Sequence, residues 1–197
     1  TTGLTPFQGD RAIEIGAVLV EKGQIAARFQ KLMNPGKRIS SFIENYTGIT
    51  NSMLQTALPC SEVMAEFADF IGDYNLVAHN ASFDQRFLDA ELKRIDRDYP
   101  GNFACSMLIS RRIFLDAPNH RLKSLVEYNK LPTSGVYHRA LADAEMTANL
   151  WLHILGNIRE KYQVNNVNFA MMQEISRKNK FAVTEFLKSK ARLESHC

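Results

Sequence analysis

The apolar residues of this chain change their spacing partway along, and that change restricts the folds open to it. Residues 13–20 (Ile-Glu-Ile-Gly-Ala-Val-Leu-Val) form a β-branched run that reads as a strand. Residues 21–24 (Glu-Lys-Gly-Gln) read as a hairpin turn and residues 25–33 as the return strand. Asn34-Pro35-Gly36 ends it, because proline cannot donate to a ladder and glycine tolerates positive φ. Beyond that point the period becomes helical. Over residues 61–71, Val63, Met64, Phe67, Phe70 and Ile71 share one face, with Ser61 placed as N-cap. Residues 82–97, 107–114, 122–128 and 139–155 read as further helices, and the short apolar runs 76–78 and 103–105 as buried strands. A hairpin followed by strand–helix alternation predicts a mixed sheet flanked by helices.

Composition narrows the class. With 197 residues, 45% hydrophobic and 23% charged, the chain has enough apolar surface for one globular domain and too much for a disordered one. No run of apolar residues is long enough to span a membrane. Three scattered cysteines, Cys60, Cys105 and Cys197, make neither a disulfide framework nor a zinc pattern, so a reducing, cytoplasmic setting is expected. The net charge of +3 is unevenly spread. Residues 155–197 hold eight basic and four acidic side chains, while the first 154 residues carry a net −1. A slightly acidic body with a basic tail suits a metal site beside a phosphate-attracting surface, and equally a solvated helix face.

Two segments hold the candidate chemistry. His79-Asn80-Ala81-Ser82-Phe83-Asp84 directly follows a predicted strand, and ligands gather at the carboxyl ends of strands in open α/β sheets. Asp84 is there either a metal ligand or a charge that favours the positive end of the helix dipole. His138-Arg139-Ala140-Leu141-Ala142-Asp143 enters a long helix after the turn at Ser134-Gly135. Five helical residues rotate the chain by about 140°, so His138 and Asp143 converge only if His138 sits on the loop before the helix. A histidine in that place titrates near neutrality, as a general base requires. Glu14, in an apolar strand, is expected on a solvated edge face or paired with a base such as Arg11, with metal contact a minor option. Thr1-Thr2-Gly3 reads as the end of a strand and a turn. There is no glycine-rich phosphate loop and no Gly-x-Ser-x-Gly elbow. His120, His153 and His196 read as structural or solvated.

In their order along the chain, these segments resemble the DEDDh 3′–5′ exonucleases, the family of the proofreading epsilon subunit of bacterial DNA polymerase III, RNase T and oligoribonuclease. The resemblance covers residues 1–155. The first family motif, Asp-x-Glu-x-Thr-Gly, matches at Thr2-Gly3 followed by Leu4, the second at Asn80, Phe83 and Asp84, and the third at His138 and Asp143. Residues 12–18 and 46–50 add family-like text between them.

The resemblance implies an RNase H-like three-layer α/β fold and release of 5′-mononucleotides from single-stranded DNA or RNA. It implies two divalent cations, Mg²⁺ or Mn²⁺, clamping the attacking and leaving oxygens. Asp84 and Asp143 would bind them, and His138 would take the proton of the attacking water. Thr2, Gly3 and Leu4 would meet the terminal nucleotide, and Asn80 and Phe83 would shape its pocket. The family's Asp-x-Glu, on a central strand, is expected immediately upstream of Thr1.

The expected division is an exonuclease domain over residues 1–155 and a basic helical tail over residues 156–197. Within the tail, Phe169, Met172 and Ile175, then Val183, Phe186 and Leu187, mark two short amphipathic helices. They could pack on the body, hold nucleic acid or bind a partner. Expected partners are nucleic acid 3′ ends and a DNA polymerase subunit, with no membrane. The alternatives to an enzyme are a non-catalytic nucleic-acid-binding module, favoured if no upstream Asp-x-Glu exists, and a polymerase-associated subunit.

Overall fold

Lys22 and Gly23 both take positive φ, 50° and 80°, which is the backbone a two-residue hairpin loop requires. The strands they join, β1 (Glu14–Glu21) and β2 (Gln24–Leu32), pair antiparallel from Glu14 opposite Leu32 to Glu21 opposite Gln24, with a register shift between Leu19 and Val20. This computed structural model describes residues 1–133 and 139–195. His138, the expected general base, lies outside the described residues.

After the hairpin come α1 (Ser41–Thr47), α2 (Asn51–Gln55), α3 (Cys60–Ile71), β3 (Leu76–Ala78), α4 (Ala81–Lys93), β4 (Phe103–Cys105), α5 (Ser106–Ile113), α6 (Leu122–Tyr128), α7 (Ala140–Tyr162), α8 (Phe169–Arg177) and α9 (Val183–Glu194). Among the described residues, β1 pairs with β2 and β3 with β4. The architecture is the expected α/β class, in which helices far outweigh the sheets.

Two compact units account for the chain: Thr1–Leu76 with Ser82–Asn102 and Ser134–Glu145, and Val77–Ala81 with Phe103–Thr133 and Met146–Cys197. In the first, β2 alternates exposed and covered residues as a one-faced strand should. Its covered Phe29 packs 5.3 Å from the rings of both Phe67 and Phe70 on α3. Ile13, Ile39, Ile49 and Leu54 form a second cluster there. Asn51 ties it together, its side chain accepting from the Ile39 N–H at 2.8 Å and donating to the Ile39 carbonyl at 3.0 Å.

In the second unit, Ile109, Leu125, Leu150, Ile154, Ile158, Met172, Ile175 and Leu187 are all fully buried in one core. The expected tail therefore contributes its apolar faces to packing: α8 supplies Met172 and Ile175, and α9 supplies Val183 and Leu187. Among the described residues no helix is long and apolar enough to cross a membrane.

The structure departs from the sequence expectations in several places. Helix α3 begins at Cys60, with its N-cap two residues earlier than expected, at Pro59 rather than Ser61. The Pro59 carbonyl accepts from the N–H groups of Glu62 and Val63, at 3.1 and 3.2 Å, so the turn closes without a capping side chain. Helices α1 and α2 had no periodic signal. They are too short to show one and are fixed by caps, with Ser40 accepting from the Ile43 N–H and Thr50 from the Met53 N–H. Helix α7 runs on to Tyr162, well past residue 155.

Candidate active site

The N-terminal turn of α7 is fixed by a side chain on β1. Glu14 accepts from Arg139 Nη2 at 2.8 Å and Nε at 3.1 Å through Oε1, and from the Ala140 N–H at 3.1 Å through Oε2. Gln30 of β2 donates to the same Oε1 at 2.9 Å. Burial pushes the Glu14 carboxyl up, but these donors outweigh it and hold its pKa below the ordinary value. The carboxylate thus caps an orphan N–H at the positive end of the helix. Gly16 completes the junction. A Cβ there would lie 2.3 Å from the Leu141 nitrogen and 2.4 Å from the Ala140 carbonyl carbon, so β1 and the start of α7 touch backbone to backbone. The sequence reading of Glu14 is corrected here: its partner is Arg139. Arg11 instead binds Glu91, at 2.8 Å. A partner 125 residues away leaves no trace in local spacing.

What this junction carries is Asp143, in the first turn of α7, whose N–H donates to the Arg139 carbonyl at 3.0 Å. Asp84 occupies the equivalent place in α4. It keeps a solvent-facing surface yet is crowded by protein. The loss of hydration raises its pKa to about 6, its own backbone N–H opposes the rise, and the charge of Asp143 adds to it. The two carboxylates predicted as metal ligands are therefore close enough to repel. Such a pair is the usual setting for a hard divalent cation, which relieves the repulsion and takes oxygen ligands. Among the described residues, no group of three or more His, Cys, Asp or Glu side chains is arranged to hold a metal ion. Asp84 and Asp143 fit as two ligands of a larger set.

The Thr2-Gly3-Leu4 segment is a turn built on Asp10. The Thr2 N–H donates to the Arg11 carbonyl at 2.8 Å, and the Arg11 N–H returns to Thr2 Oγ1 at 3.0 Å. Asp10 accepts from Thr2 Oγ1 at 3.1 Å and from the Thr5 N–H at 3.0 Å. A Cβ on Gly3 would lie 2.3 Å from that carboxylate, which would have to swing aside to admit it. Leu4, left 73% exposed, projects from the turn.

Around the start of α4, Asn80 takes φ 76°, a left-handed conformation that asparagine tolerates. The Phe83 ring stands 5.0 Å from that of Phe87. His79 Nε2 faces the His120 carbonyl at 2.9 Å and must donate to it. Burial lowers the His79 pKa, and Nδ1 lies 2.9 Å from Ser106 Oγ, whose hydroxyl also reaches the Ala78 carbonyl at 3.1 Å. His79 is thus a structural clamp on the segment entering α4.

Comparison with known proteins fits this arrangement. The family model described as exonuclease, RNase T, matches residues 1–151. The chain belongs to the RNase T exonuclease family. It is 38% identical over 169 residues to a PolC-type DNA polymerase III of Latilactobacillus sakei subsp. sakei (strain 23K), covering 85% of this chain and 12% of that protein. It is also 38% identical over 164 residues to the 3′-5′ exonuclease DinG of Bacillus subtilis (strain 168), covering 81% of this chain and 17% of that protein. The chain thus spans less than a fifth of the length of either.

Among solved structures, exonuclease X in complex with 5′ overhanging duplex DNA superposes with a TM-score of 0.68 at 27% identity, covering 89% of this chain and 95% of that one. The nuclease domain of 3′hExo, a DEDDh family member bound to rAMP, shares the fold with a TM-score of 0.63 at 21% identity, covering 74% of this chain and 80% of that one. The DEDDh-type resemblance and the RNase H-like fold class are borne out.

Proposed function

We propose that this exonuclease-family protein removes nucleotides from the 3′ end of single-stranded DNA or RNA and releases 5′-mononucleotides with two divalent cations, Mg²⁺ or Mn²⁺. The observation that carries the reading is the electrostatic coupling of Asp84 and Asp143, each in the first turn of its helix. Bound there, the cations supply charge neutralisation at the attacking and leaving oxygens of an in-line displacement.

The chain's own residues do the rest. Asp84 and Asp143 hold the metal site. His138 accepts the proton of the attacking water. Thr2 and Gly3 hold the terminal nucleotide at a turn kept rigid by Asp10, and Leu4 lies against its base. Asn80 and Phe83 shape the wall of the pocket. The exonuclease domain occupies residues 1–155, followed by a basic segment over residues 156–197, and the protein works in the cytoplasm.

Relatives that are PolC-type DNA polymerases favour a second, compatible reading, in which the domain acts beside a polymerase. The test is degradation of a 5′-labelled single strand by the intact protein. Stepwise shortening from the 3′ end that requires Mg²⁺ or Mn²⁺ is expected. Binding without hydrolysis in either ion would leave only a nucleic-acid-binding module.

A further inference from the structure

The carboxylate of Glu91 is buried, its side chain only 1% exposed, and it is fully engaged. Arg11 donates to it from Nε at 2.8 and 3.1 Å and from Nη2 at 2.8 Å, and the Ala12 N–H donates from 3.1 Å. Arg94 Nη1 stands 3.3 Å away on another side. One buried anion therefore faces two guanidinium groups, neither of which can give up its proton. The cluster keeps an excess of one positive charge. Arg11 Nη1 and Arg94 Nε have no protein acceptor among the described residues.

Both arginines line a cavity of about 320 Å³ that is also lined by Asn34 and by Cys60 and Ser61 of the first turn of α3. That turn has no capping side chain. Cys60 is not available to a ligand, since its thiol donates to the carbonyls of Ala12 and Asn34 at 3.5 and 3.2 Å. Ser61 is exposed, and its hydroxyl makes no hydrogen bond within the protein among the described residues. The volume falls at the small end of the range for small-molecule sites, about 300–1,000 Å³. Neither Asp84 nor Asp143 is among the lining residues.

We propose that this cavity binds a phosphomonoester of nucleotide size, with Arg94 and Arg11 holding the phosphate in the space they share with the start of α3. Glu91 sets the orientation of the guanidinium groups and cancels one of their charges, so it carries no free lone pair toward the ligand. The remaining charge and the N–H groups without a protein acceptor among the described residues match a tetrahedral dianion, for which guanidinium forks are suited. The proposal does not depend on nuclease activity.

The test is calorimetric titration of the intact protein with adenosine 5′-monophosphate, adenosine and inorganic phosphate, in EDTA to silence the metal site. The monophosphate should bind at least tenfold tighter than adenosine, and inorganic phosphate should compete with it. Arg94→Gln should weaken binding at least tenfold, while Asp143→Ala leaves it unchanged. Ser61→Glu, which adds a carboxylate to the cavity lining without removing any member of the Glu91 cluster, should abolish it and serves if Arg94→Gln misfolds. Equal affinity for adenosine and its monophosphate, undiminished binding in Ser61→Glu, or binding lost in Asp143→Ala would overturn the proposal. So would the absence of binding at millimolar ligand.

Discussion

Glu14 and Arg139 are 125 residues apart in sequence, yet Arg139 Nη2 donates to Glu14 Oε1 at 2.8 Å while Glu14 Oε2 caps the Ala140 N–H. This places a charge from β1 at the foot of the helix that carries Asp143. Glu14→Ala removes the cap and leaves Arg139 without its carboxylate. A loss of about 1–3 kcal/mol in denaturant unfolding is expected, the range for a buried charged hydrogen-bonding group. The Glu14 pKa is lowered below its ordinary 4.5 in the folded chain. Its stabilisation is therefore fully present above that value and is lost as pH falls through the lower folded pKa. The difference between wild type and variant should be constant at neutral pH and shrink only in acid.

Gly16→Ala tests the same junction by sterics. The added methyl would stand 2.3 Å from the Leu141 nitrogen, a backbone atom that cannot swing aside. Destabilisation of about 1–3 kcal/mol is expected from overpacking, measured by thermal melting. Hydrolysis should fall too, because Asp143 moves with the helix start.

These two residues show where the sequence was readable. The strand at Leu76–Ala78 and the helix after it were legible because a short apolar run beside an amphipathic stretch permits little else. Asp84 and Asp143 were singled out from motif order, and the structure places each in the first turn of its helix. Glu14 was noticed as a charge in an apolar strand, but its partner was misassigned, since pairing across 125 residues is set by tertiary packing. Helices α1 and α2 escaped notice because capping side chains, rather than periodicity, define them.

Asp84 makes a prediction of opposite sign to Glu14. Its pKa is raised to about 6 from an ordinary 3.8, so the fold is penalised as pH rises through that interval and the penalty is complete above it. Asp84→Asn should therefore melt above wild type at pH 7.5 in EDTA, and the gap should close as pH falls toward 4. Millimolar Mg²⁺ or Mn²⁺ should raise the wild-type melting temperature and leave the variant nearly unchanged.

His138→Ala separates proton transfer from folding. In the proposed role of general base, His138 would contribute about 10²–10⁴-fold to the rate. The variant should melt like wild type, hydrolyse slowly and lose the acid limb of its rate–pH profile. Earlier melting with unchanged turnover would make the histidine a helix cap and nothing more.

The most direct measurement is the release of 5′-mononucleotides from single-stranded DNA by the intact protein and by Asp143→Ala, each in saturating Mn²⁺ and each checked for native melting. The account predicts stepwise 3′–5′ hydrolysis in wild type and none above background in the variant. Undiminished hydrolysis by Asp143→Ala, or by wild type in excess EDTA, would contradict the pairing of Asp84 with Asp143 as the metal-binding centre.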